Sequence, residues 1–145
     1  MLKAVIDTNL FVSAVISKKG SPARLLQLWC EHAFLVIISE QMVEEIERVL
    51  TYPRIRNKYN LKNEEIGQAV STIKKFAVVL PDVIKLDIVK DDPDDNKVLA
   101  CALMVKADYI VSGDSHLLSL GVFEDIPIVT VKDFLDFIER MKVDG

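Results

Sequence analysis

Apolar and polar positions follow two regimes along the chain. Short runs dominated by consecutive apolar residues, at Leu2–Ile6, Leu35–Ile38, Val83–Leu86, Tyr109–Val111 and Pro127–Val129, predict strands buried on both faces. Between them apolar residues recur at three- and four-residue spacing behind recognisable helix starts. These starts are Ser21 with Pro22 behind it, Ser39 before Glu40–Leu50, and Asn63 before Glu64 and Glu65. Thr130 opens a final helix through about Met141. Repeated alternation of strand and helix predicts an α/β fold, a mostly parallel sheet covered by helices on each side. No repeat or Ser/Gly-rich linker divides the 145 residues, so one domain over residues 1–145 is expected.

In open sheets of this kind ligands sit beyond the carboxyl ends of strands, where the strand order reverses. Two aspartates stand there: Asp7 in Val5-Ile6-Asp7-Thr8-Asn9, and Asp114 in Ile110-Val111-Ser112-Gly113-Asp114. Either alone would serve as an ordinary helix cap. Asp95 is more informative, because Asp95, Val98, Leu99 and Ala102 stand at i, i+3, i+4 and i+7. That spacing puts a carboxylate at the head of an apolar stripe, where an uncompensated charge is costly. On the Glu40–Leu50 helix the stripe is Met42, Val43, Ile46, Val49 and Leu50. Glu44 lies about 160° from its centre and faces solvent, while Glu45 and Glu47 lie about 100° off on opposite shoulders, so angle alone permits either to reach a cleft.

Two strand-end aspartates, a stripe-facing aspartate and a shoulder glutamate make a set of hard oxygen donors suited to Mg²⁺ or Mn²⁺. Their mutual repulsion calls for a divalent cation, and that chemistry suits phosphodiester hydrolysis. His32 and His116 are read as surface or packing residues, and Cys30 and Cys101, 71 positions apart with no CxxC pair, as core residues.

These segments, together with Ser39-Glu40-Gln41-Met42-Val43-Glu44-Glu45 and the stretch from Asp92 through Asp95 to Ala102, resemble the four acidic motifs of PIN domains. The likeness is strongest to single-domain prokaryotic members described as toxins of toxin–antitoxin systems, the VapC-type ribonucleases. It implies a three-layer α/β/α fold with a parallel five-stranded sheet of order 3-2-1-4-5. It also implies catalytic and metal-binding roles for Asp7, Glu45, Asp95 and Asp114, with Asn9 and Ser112 supporting them. Implied too are Mg²⁺ or Mn²⁺ as cofactor, RNA as substrate and an antitoxin protein as partner.

Composition adjusts this picture in three ways. Eighteen basic against twenty-two acidic residues, a net charge of −4, leave nucleic-acid binding to local patches. One patch is Arg48–Lys62, five bases without an acid, in which Arg54, Arg56 and Lys58, interleaved with Tyr52 and Tyr59, are candidates for RNA contact. Lys18, Lys19 and Arg24 are weaker ones. Asp87–Asp95 is the converse, five acids with only Lys90. The longest apolar run, Val98–Val105, has eight residues against the ~20 needed to span a bilayer. With no leader pattern before Ala4, a cytoplasmic protein without membrane association is expected. Finally, Leu25, Leu26, Leu28, Trp29, Phe34, Phe134, Phe137 and Ile138 amount to more apolar helical surface than a small sheet covers, which predicts a homodimer.

Two other functions fit parts of the pattern. A non-catalytic or partner-masked module binding RNA or protein would tolerate loss of a motif acid, and none is lost. A phosphatase of the haloacid-dehalogenase type also begins with an aspartate after its first strand, but wants an acid two residues later, where this chain has Asn9.

Overall fold

The computed structural model describes residues 1–81, 83–85 and 93–144. The elements in order are β1 (Lys3–Ile6), α1 (Thr8–Ile16), α2 (Ser21–Cys30), β2 (Leu35–Ser39), α3 (Glu40–Thr51), α4 (Pro53–Lys58), α5 (Asn63–Phe76), β3 (Val78–Leu80), α6 (Pro93–Val105), β4 (Tyr109–Val111), α7 (Ser115–Leu120), β5 (Val122–Phe123), β6 (Ile126–Val129) and α8 (Val131–Asp144). They build a sheet of order β3-β2-β1-β4-β6-β5, parallel except for the β5–β6 pair.

Consecutive strand residues point to opposite faces, so a strand buried throughout must be covered from both sides. Ala4, Val5 and Ile6 of β1 and Val36, Ile37 and Ile38 of β2 are all buried, which is the signature of helices on both faces of an α/β sheet. The chain builds outward from β1 through β2 to β3, then returns to the other side of β1 as β4. The reversal point therefore lies between β1 and β4, and the register that pairs Ile6 with Val111 brings the residues just after each strand together.

The five strands that run parallel follow the expected order, with two differences from the sequence reading. The third strand is Val78–Leu80, not Val83–Leu86: α5 passes through Ala77 straight into the strand, and pairing of Ile37, Ile38 and Ser39 with Val78, Val79 and Leu80 fixes it there. Residues 83–85 carry no regular structure, and Leu86 lies outside the described residues. The sheet also gains a sixth strand, because Val122–Phe123 folds back on β6 through Glu124 and Asp125, whose φ angles of 48° and 66° are both left-handed. That is the backbone of a type I′ hairpin turn, written here without the Asn-Gly or Asp-Gly that usually announces one.

Caps fall close to the expected starts. Ser39 Oγ accepts from the Met42 N–H at 3.2 Å and Thr130 Oγ1 from the Asp133 N–H at 3.2 Å. At α2 the cap is Gly20, so Ser21 is the first helical residue.

Two further expectations change. Cys101 is buried, and burial pushes its thiol up to about 12, but Cys30 is exposed, one position past Trp29 on the buried side of α2. The apolar surplus read as a dimer surface is internal: Leu25, Leu28, Trp29, Phe34, Phe134 and Ile138 are buried within the chain, and Leu26 and Phe137 pack half-buried against them. Phe34 and Tyr109 both meet Phe134 edge-on, which ties α8 to the sheet. Among the described residues no helix is long and apolar enough to cross a membrane.

Candidate metal centre

Asp7 is the residue at which β1 becomes α1. Its N–H still belongs to the sheet, donating to Val111 O at 2.9 Å, while its side chain accepts from the Asn9 N–H at 3.4 Å as the cap of α1. A carboxylate that leaves a central strand in this way is 3% exposed. Ser112, the residue after β4, donates its hydroxyl to Asp7 Oδ2 at 2.8 Å and accepts the Asp114 N–H on the same oxygen at 2.9 Å. Ser112 thereby couples the two strand ends: one buried hydroxyl sets where the Asp7 carboxylate and the Asp114 backbone stand.

Asp114 caps α7. Its Oδ1 accepts from the His116 N–H at 2.7 Å and the Leu117 N–H at 3.3 Å, leaving Oδ2 as the oxygen that carries neither bond. Across from it α6 packs on β1, β2 and β4, and its apolar stripe, Val98, Leu99 and Ala102, is buried as the spacing predicts. Asp95 heads that stripe, 4% exposed. A donor atom of Asp95, one of Asp114 and a ring nitrogen of His116 all lie within 4.8 Å of one another. Two ligands about 2.1–2.3 Å from a shared cation are at most about 4.6 Å apart, so the spacing and the mixed oxygen and nitrogen donors fit one divalent ion with little rearrangement.

Glu45 is 7% exposed on α3, which packs against α1 and α6. Glu44 and Glu47 are exposed and, with Glu40, Arg48 and Lys74, line an open cavity of about 850 Å³ between α3 and α5. The angular tie between Glu45 and Glu47 is therefore broken by neighbouring helices, which cover one shoulder of α3 and leave the other wet.

The remaining expected residues fall as follows. Asn9 is exposed and meets Asp7 through its main chain. Thr8, which carries no motif signal, is buried beside it, with its hydroxyl 3.5 Å from Asp7 Oδ1. His116, expected at the surface or in packing, is exposed, yet its ring stands with Asp95 and Asp114. The signal available in sequence was the triplet Asp114-Ser115-His116 directly after a strand, since a capping Asp holds the second residue of its helix close by. Of the acidic run 87–95, Asp87, Asp91 and Asp92 lie outside the described residues.

Arg54 and Lys58 are exposed on α4, and Arg56 is half-buried. Tyr52, Arg54, Lys58 and Tyr59 border an open concavity of about 750 Å³, with the Lys58 ammonium 5.4 Å from the centre of the Tyr59 ring. This is a pairing of cation and aromatic faces.

With this geometry in view, comparison with known proteins is direct. The sequence matches the PIN domain family over residues 3–116, a span that holds all four acids and His116. It is also 32% identical over 119 residues, covering 82% of this chain and 75% of the relative, to an uncharacterized protein of the archaeon Methanocaldococcus jannaschii. PIN domains are a family of metal-dependent nucleases, which accords with a carboxylate cluster at the switch point of a mostly parallel sheet, and this chain belongs to the PIN domain family.

Proposed function

We propose that this chain is an Mg²⁺- or Mn²⁺-dependent ribonuclease in which Asp7, Glu45, Asp95 and Asp114 form the catalytic and metal-binding set. The observation that carries the proposal is the approach of Asp95, Asp114 and His116 to within 4.8 Å, with Ser112 joining Asp114 to Asp7. When bound, a divalent cation supplies Lewis-acid chemistry to a phosphodiester and its attacking water. The chain's own residues do the rest. Asp95, buried on the first turn of α6, and Asp114, fixed as the cap of α7, hold their oxygens in place before substrate arrives, so little reorganisation is left for the reaction. Ser112 orients Asp7 by donating to Oδ2, which keeps that carboxylate directed.

Arg54, Arg56 and Lys58 supply phosphate contacts, and Tyr52 and Tyr59 offer faces on which a splayed base can stack. Tyr52 lies seven residues past Glu45 at the end of α3, about 10 Å along the helix, so one strand of RNA can touch both regions. In the same proposal the chain is the toxin of a toxin–antitoxin pair, restrained by a protein partner that covers the cleft; this rests on its likeness to VapC-type proteins.

Asp7→Asn or Asp114→Asn removes ligand charge at nearly constant volume and is expected to abolish RNA cleavage while the protein stays folded. Glu44→Gln, on the wet face of α3, cleaves like wild type. Cleavage at the wild-type rate by Asp7→Asn would falsify the assignment. Growth arrest on expression of the wild type alone, absent for Asp7→Asn, tests the toxin role.

A further inference from the structure

The acidic set leaves His116 at the cleft without an assigned role. His116 is not a carboxylate and belongs to none of the four acidic positions, yet its backbone is fixed by the same Asp114 oxygen that caps α7, at 2.7 Å. Its ring nitrogen lies within 4.8 Å of donor atoms from both Asp95 and Asp114. The other histidine of the chain, His32, is accounted for differently: its ring meets that of Phe76 edge-on at 6.2 Å. We infer that His116 is a nitrogen ligand of the metal centre and gives it a preference for Mn²⁺ over Mg²⁺, an inference that rests on the metal-dependent reading above.

The chemistry follows from donor type. Mg²⁺ is hard, keeps oxygen ligands and gives up water reluctantly, so an imidazole beside two carboxylates adds little to its binding. Mn²⁺ also favours oxygen donors, but as the first ion of a transition series whose affinity for nitrogen and oxygen sites rises from Mn²⁺ onward, it gains more from an added imidazole than Mg²⁺ does. Placement of the residue fits this role. Asp95 is buried and Asp114 half-buried, whereas His116 is exposed, so the histidine would complete the donor set from the solvent side of the cluster. Its backbone is held by the cap while two side-chain torsions remain to close the last distance.

The test uses the purified chain and Mn²⁺ or Mg²⁺ alone. Calorimetric titration should show that His116→Gln weakens Mn²⁺ binding by about tenfold or more, the scale of losing a ligand or its support, while Mg²⁺ binding changes less than about threefold. Pulsed electron paramagnetic resonance of bound Mn²⁺ should show coupling to a nitrogen nucleus in the wild type and in His32→Asn, which suits the left-handed backbone at that position (φ 65°), but not in His116→Gln. Nitrogen coupling that survives His116→Gln, or equal losses for both metals, overturns the inference and leaves the carboxylate site standing. Unchanged Mn²⁺ affinity with weakened RNA binding would make His116 a substrate contact and overturn it equally. A wild type that binds neither metal overturns the metal-dependent reading as well.

Discussion

Ser112→Ala is the sharpest perturbation of this site that touches no carboxylate. The hydroxyl is fully buried, donates to Asp7 Oδ2 at 2.8 Å and accepts from the Asp114 N–H at 2.9 Å, so truncation removes two hydrogen bonds from one position and puts nothing in their place. A bond to an ionised carboxylate contributes about 1.5–3 kcal/mol and a neutral one about 0.5–1.5 kcal/mol. Asp7 keeps the Asn9 N–H, which holds the loss below the sum, at about 2 kcal/mol. For a chain of this size that lowers the melting temperature by about 6 °C. The functional cost is separate, because Asp7 and Asp114 lose their shared reference point, and loss of such a support lowers activity or metal affinity about 10–100-fold. Thermal unfolding in metal-free buffer reads the first quantity and single-turnover RNA cleavage at saturating metal the second. A variant that melts within about 1 °C of wild type and cleaves at the same rate would show that Ser112 does not hold the two strand ends together.

Three other outcomes are expected. Because burial raises the Cys101 thiol from 9.0 to about 12, the unfolded chain ionises first; this stabilisation is complete below pH 9 and is lost as pH rises toward 12. The stability gap between wild type and Cys101→Ala should therefore narrow by about 1.4 kcal/mol per pH unit above 9, as read by denaturant unfolding, and a constant gap would contradict the burial. Neutralising Arg54, Arg56 and Lys58 together should weaken RNA binding and flatten its salt dependence by up to about 0.7 per contact while metal affinity holds, and an unchanged salt slope would move the RNA path toward Lys18, Lys19 and Arg24. Ser39→Ala, which uncaps α3, should cost about 1 kcal/mol in equilibrium unfolding, and no change would mean the Met42 N–H finds water as readily.

Much of the site was legible because it is written in short-range patterns. A strand that ends in Asp, as at Asp7 and Asp114, marks the carboxyl edge of a parallel sheet, and Asp95 at the head of Val98, Leu99 and Ala102 marks a carboxylate on the inner face of a helix. What failed depended on neighbours that no local pattern describes. Glu45 and Glu47 are equivalent by angle; the motif resemblance points to Glu45, and the helices packed on α3 bury Glu45 and leave Glu47 exposed. Val78–Leu80 was missed as a strand because it follows α5 with only Ala77 between them, so the periodic signal of the helix ran into it. The β5–β6 hairpin turns on two left-handed acidic residues where glycine or asparagine would have shown it. His116 is signalled in sequence only by its place two residues after Asp114, whose cap holds its backbone. The apolar positions of α2 and α8 were identified correctly, but Phe34 and Phe134 meet each other inside one chain, so their number is accounted for by the core.

The central claim is that the carboxylates at the β1–β4 switch point hold a divalent cation for RNA hydrolysis. It is tested most directly by cleavage of a defined RNA by protein stripped of metal and then repleted with Mn²⁺ or Mg²⁺, beside Asp95→Asn treated identically. The account predicts no cleavage without metal, recovery on repletion in the wild type, and none in Asp95→Asn at an unchanged circular dichroism spectrum. Cleavage that persists in chelator, or that Asp95→Asn performs at the wild-type rate, would contradict it.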